Sequence, residues 1–86
     1  MSYAIRLSRE AEGDLEVLAR SDSKLFLRIL RKVELLSGSP RAGKPLVGNH
    51  RGEFSLRVGD RRIVYEIEET DKTIYILTVK HRRHVY

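Results

Sequence analysis

The sequence predicts a single α+β domain spanning residues 1–86, with one short strand, a helical hairpin and then three antiparallel strands. The hairpin is expected to pack on one face of a four-stranded sheet. Two patterns carry this reading. Residues 52–79 hold three β-rich segments that alternate with period two and are joined by short turn-like breaks, the mark of an antiparallel meander. Residues 23–36 carry an apolar stripe at helical spacing. The chain has 86 residues and no internal repeat, which fits one small domain.

In chain order, residues 3–7 (Tyr-Ala-Ile-Arg-Leu) alternate and read as a first strand. Ser8 is a suitable N-cap, and Glu10, Glu12, Asp14 and Glu16 suit the positive end of the helix that follows. Ala11, Leu15 and Leu18 share one face of it, and Gly13 weakens it without breaking it. Ser21-Asp22-Ser23 interrupts and recaps. In the second helix Phe26, Ile29, Leu30 and Val33 form the stripe. Leu25 and Leu36 lie at its margins, where they are expected to stay partly exposed until a partner covers them. Gly38 and Pro40 stop the helix.

Residues 37–52 contain four Gly and two Pro and show little periodicity. A loop of that length in so small a domain is usually functional. Leu46 and Val47 are expected to pin its middle to the core. Beyond it, Phe54, Leu56 and Val58 fall on one face of the first meander strand, whereas Ser55 and Arg57 fall on the other. Gly59-Asp60 turns the chain into residues 61–67, and a polar break at residues 68–72 leads into residues 73–79.

The chain has a formal net charge of +5, a pI near 9.9 and no Cys. Lack of Cys excludes a disulfide framework and Cys-based zinc sites. The N-terminal residues lack an apolar stretch of signal-peptide length and no segment is long enough to span a membrane, so the expected compartment is the cytoplasm. Acidic residues collect at 10–16 and 66–71, leaving the loop at 41–51 and the tail at 80–84 free of negative charge. That segregation points to a basic surface for a polyanion. No Gly-rich phosphate loop, no metal-ligand spacing and no Ser nucleophile with a base is present. His81 and His84 lack a neighbouring carboxylate to complete a metal site, and no cofactor is expected.

What remains is cationic. Arg57, Arg61, Arg62, Lys80, Arg82 and Arg83 converge if the strands pair in sequence, and guanidinium groups bind phosphate bidentately. The candidate nucleic-acid contacts are Lys44, Arg51, Ser55, Arg61, His81 and Arg83. Tyr86 offers a ring on which a base can stack. The plain alternative is a solvated basic face.

The run from Phe54 through Gly59-Asp60-Arg61-Arg62 to Ile67, with the ending His81-Arg82-Arg83-His84-Val85-Tyr86, resembles the bacterial RelE/ParE toxin superfamily on its RelE side. The resemblance covers essentially the whole chain. It implies a toxin of a toxin–antitoxin pair that cuts messenger RNA in the ribosomal A site, with the RNA's own 2′-hydroxyl attacking the adjacent phosphate and no metal required. On that resemblance Arg57 matches a lysine near the attacking hydroxyl, Arg62 the arginine that steadies the phosphate, Arg82 an arginine near the leaving group, and Tyr86 a tyrosine that stacks on the substrate. Ser55 stands where some members carry a further catalytic lysine, and the sequence ends at Tyr86 where some continue into another helix. The base is therefore open. His84 is the candidate, because imidazole titrates near neutrality and an extended tail aims it with Tyr86; the other possibility is that the arginines favour the ionised hydroxyl without a discrete base. Two rival functions remain: a ParE-like inhibitor of DNA gyrase, which has no evident need of Arg57, Arg62, Arg82 and Tyr86 together, and a non-catalytic RNA-binding module, disfavoured by the scarcity of surface aromatics.

Overall fold

The computed structural model describes residues 2–81 and Arg83. It contains β1 (Ala4–Leu7), α1 (Arg9–Ser21), α2 (Ser23–Gly38), β2 (Lys44–Pro45), β3 (Glu53–Val58), β4 (Arg61–Glu68) and β5 (Thr73–His81). The strands form one five-stranded sheet in the order β1-β5-β4-β3-β2. The meander β3-β4-β5 is antiparallel throughout, as its alternation and short turns require. β1 joins β5 in parallel, with both helices lying in the crossover between them. The sheet has one strand more than the four expected. That strand, β2, is only two residues long and pairs Lys44 with Ser55 and Pro45 with Phe54. It is illegible in a Gly/Pro-rich stretch, and Pro is tolerated there because β2 is an edge that need not donate outward.

Ser8 caps α1 by accepting from the Ala11 N–H at 2.9 Å. Asp22 serves both helices: its own N–H donates to the Leu18 carbonyl, and its carboxylate accepts from Leu25 N at 3.2 Å. The second helix runs to Gly38, two residues past the expected end, where the Ser39 N–H closes the last turn on Leu35 and Leu36.

The core joins Leu15 and Leu18 of α1 and Leu25, Ile29, Val33 and Leu36 of α2 to Ile63, Tyr65, Ile74, Ile76 and Val79 of the sheet. Leu25 and Leu36 are therefore buried, not partly exposed. Residues 25, 29, 33 and 36 form the ridge that meets the sheet, whereas Phe26 and Leu30 turn toward a groove shared with Leu15 of α1 and remain half-buried. Val47 is likewise corrected: it is 84% exposed, and only Leu46 is half-buried, with its N–H on the Glu53 carbonyl.

A β-bulge decides which way the end of β5 faces. Val64 pairs with Thr78 but Tyr65 pairs with Ile76, so Leu77 is an extra residue in β5. Without it, Ile74 and Ile76 would carry Thr78 and Lys80 inward by strict alternation. With it, Val79 faces the core and Thr78 aligns with Val64 and Ser55 on the outer face.

β1 is too short to cover all of β5, and α1 protects the remaining edge. Ser8 N donates to the Ile76 carbonyl at 2.9 Å, and the Asp14 carboxylate accepts from Val79 N at 2.9 Å and from Lys80 Nζ at 2.7 Å. Glu10 lies 3.2 Å from the same ammonium. Hydrogen bonding to Asp14 first, then to Glu10, raises the Lys80 pKa. Lys80 is thus committed to α1 and does not join the cationic group expected of it. Replacing Asp14 by Ala strands the Val79 N–H, at an expected cost of about 1–3 kcal/mol, read as a lower denaturant midpoint with an unchanged slope. Among the described residues, no helix is long and apolar enough to cross a membrane.

Candidate nucleic-acid interface

The sheet face turned away from the helices carries the cations. Arg57 on β3 and Arg62 on β4 are direct cross-strand partners. They line a cavity of about 320 Å³ together with Ala42, Gly43, Lys44, Ser55 and Leu56. Arg57 is exposed and Arg62 half-buried. Among the described residues, none of the ion pairs involves Arg57, Arg62 or Lys44. Like charges directly opposite one another destabilise a sheet. Among the described residues this pair has no carboxylate partner to offset that cost, so the arrangement suits a bound anion. Ser55 and Lys44, themselves paired across β2 and β3, extend the lining with a hydroxyl and an ammonium.

The wall formed by residues 40–43 is locked by Tyr65, a contact that strand periodicity does not reveal. Tyr65 is fully buried and stacks on Phe54 with ring centroids 5.5 Å apart. Its hydroxyl donates to the Pro40 carbonyl at 2.7 Å and accepts from Gly43 N at 3.0 Å. Burial pushes that hydroxyl's pKa up, opposed by the Gly43 N–H. Gly43 is held so closely that a Cβ there would sit 2.7 Å from both the Ser55 carbonyl and the Tyr65 hydroxyl. The available signal was a tyrosine at a core position of β4, since a buried phenol needs a polar partner.

The other expected contacts do not line this cavity. Arg51 is exposed at the end of the short helical turn Gly48–His50 and does not line the cavity. Arg61 and His81 pair with each other on the helix-facing side of the sheet, where Asp60 lies 3.5 Å from Arg61 Nε and 3.4 Å from His81 Nε2. Arg83 is exposed, and its N–H donates to His81 Nδ1 at 3.2 Å. Arg82, His84 and Tyr86 lie outside the described residues. The loop's positive charge is also less isolated in space than in sequence: Arg41 pairs with Glu69 at 2.7 Å and His50 with Glu53 at 3.2 Å. Among the described residues, no group of three or more His, Asp or Glu side chains is arranged to hold a metal ion.

A family model described as the ParE toxin of type II toxin–antitoxin systems, parDE, matches residues 5–86. The chain belongs to this family. As a RelE/ParE superfamily toxin it is 38% identical, over 92 aligned positions, to Toxin RelG of Mycobacterium tuberculosis (strain ATCC 25618 / H37Rv), an alignment covering all of this chain and 98% of that one. Its fold superposes with a TM-score of 0.85 on a chain of the RelBE2 toxin–antitoxin complex from M. tuberculosis, at 33% identity over 95% of this chain and 100% of that one. A chain of the archaeal RelE–RelB complex from Pyrococcus horikoshii OT3 shares the fold, with a TM-score of 0.77 at 23% identity over 99% of this chain and 100% of that one. The two-helix, meander-sheet architecture of this toxin is thus that of its superfamily.

Proposed function

We propose that this toxin is a ribosome-dependent endoribonuclease that cleaves mRNA by attack of a 2′-hydroxyl on the adjacent phosphate, and that a cognate antitoxin neutralises it. The observation that carries the reading is the Arg57–Arg62 cross-strand pair beside a cavity, free of carboxylate partners among the described residues. In the reaction a 2′-O–P bond forms and the P–O5′ bond breaks, leaving a 2′,3′-cyclic phosphate and a free 5′-hydroxyl. Arg57 draws charge from the attacking oxygen and Arg62 holds the crowded phosphorane, where a positioned cation acts most strongly on developing charge. Arg82 stabilises the departing O5′, which takes up a proton from solvent, Tyr86 stacks on the nucleotide, and His84 accepts the 2′-hydroxyl proton. Lys44 and Ser55 flank the phosphate, while Arg51 and Arg83 contact RNA around it. The antitoxin complex named for the RelBE2 relative supports a protein partner here.

The family model's own description, a parDE toxin, favours a second reading, inhibition of DNA gyrase without catalysis. Toeprinting on translating ribosomes with the purified protein, run beside a gyrase supercoiling assay, separates the two. The expected result is a new mRNA end within the A-site codon and unchanged supercoiling. Loss of supercoiling with intact mRNA would establish the gyrase reading instead.

A further inference from the structure

The β3–β4 turn and the end of β5 meet at a small polar cluster that the proposed reaction does not explain. At its centre is Asp60. Its Oδ2 lies 3.4 Å from His81 Nε2 and its Oδ1 lies 3.5 Å from Arg61 Nε. The Arg61 nitrogen is buried and has no hydrogen-bond partner among the described residues, so the Asp60 carboxylate is its nearby counter-charge. His81 is engaged on both sides. Its Nδ1 accepts the Arg83 N–H at 3.2 Å. A nitrogen that accepts carries no proton, so the neutral ring carries its proton on Nε2, the nitrogen 3.4 Å from the Asp60 carboxylate.

We propose that Asp60 and His81 form a positioning pair that holds the Arg83 backbone at the end of β5. Asp60 selects the Nε2–H tautomer of His81, and the freed Nδ1 lone pair then holds the backbone of Arg83. The sheet register supplies the frame: Arg61 and His81 are cross-strand partners, so the carboxylate of the preceding turn reaches both. The turn itself is tight, with Gly59 at φ 61° packed against Leu25. Among the described residues, the charged side chains Asp22, Lys24 and Arg28 line a cavity of about 390 Å³ with Asp60. Lys80, the neighbour of His81, is held by Glu10 and Asp14 and does not compete. Asp60 and His81 are positioning residues under this proposal. Their bearing on catalysis rests on the cleavage reading, because Arg83 is the sequence neighbour of Arg82 and His84. The pair itself does not depend on that reading.

The test is amide hydrogen exchange at Arg83 in the purified protein, with ¹⁵N spectroscopy of the His81 ring. Wild type is expected to show the Nε2–H tautomer and a protected Arg83 amide. Asp60→Ala and His81→Gln are expected to speed Arg83 exchange about tenfold, the effect of losing one hydrogen bond. Asp60→Glu restores protection, and His81→Asn, whose Oδ1 can stand in for Nδ1, retains it. Unchanged Arg83 exchange in both Asp60→Ala and His81→Gln would overturn the proposal. So would equal acceleration across all of β4 and β5, which reports loss of stability and not loss of the Arg83 contact. Cleavage by the same variants is read separately: inactivity of wild type on ribosomes counts against the proposed function and leaves the exchange result standing.

Discussion

Replacing Arg62 by Ala is expected to abolish growth inhibition and to slow single-turnover mRNA cleavage on ribosomes by about 10²–10³-fold, the usual consequence of losing one donor to transition-state charge. The fold is expected to survive. None of the ion pairs among the described residues involves Arg62, and its direct cross-strand partner is another arginine. Removing it relieves a like-charge contact, so the thermal midpoint should hold or rise slightly while activity falls. That opposition of signs separates a substrate-facing cation from a structural one. A folded Arg62→Ala protein of full toxicity would remove the site from consideration. A variant that is inactive because it has unfolded would show that Arg62 acts structurally.

The largest expected effect on stability is at Gly43. An added methyl would meet the Ser55 carbonyl and the Tyr65 hydroxyl, each at 2.7 Å. The first belongs to a strand backbone and the second to a fully buried ring, so neither can move aside cheaply. Overpacking of this kind costs about 1–3 kcal/mol, and displacing Gly43 also weakens the Tyr65 bonds to Gly43 N and the Pro40 carbonyl. For a domain of this size, a loss of about 2–3 kcal/mol lowers the thermal midpoint by roughly 10–20 °C, measurable by circular dichroism. Because residues 42–44 line the cavity beside Arg57 and Arg62, the same change should weaken RNA engagement below the melting range. An unaltered midpoint in Gly43→Ala would mean that the Tyr65 lock does not hold the loop.

Much of this was legible along the chain. The period-two runs of β3, β4 and β5 place Phe54, Leu56 and Val58 toward the helices and Ser55 and Arg57 away from them, and the structure agrees. The pairing of Arg57 with Arg62 follows from the short Gly59-Asp60 turn, because turn length sets hairpin register. Ser8 and Asp22 announced the helix starts by their hydrogen-bonding chemistry. These features rest on interactions between residues near one another in sequence, which spacing reports directly.

Other features depend on residues distant in sequence, and only the tertiary structure decided them. The bulge at Leu77 reverses strict alternation in β5, and periodicity assumes there is none. Lys80 is basic in sequence, yet it is spent on Asp14 and Glu10, more than sixty residues earlier, because α1 covers an edge that β1 leaves open. The loop at residues 37–52 is held by Tyr65 and not by Val47, since a buried phenol needed partners that only this loop could bring. Sequence alone thus determined the strand faces, the helix caps and the Arg57–Arg62 pair, all consequences of local geometry. The closure of the fifth strand, the neutralisation of Lys80 and the seating of His81 on Asp60 were decided by packing, because each requires a polar group to find its partner across the fold.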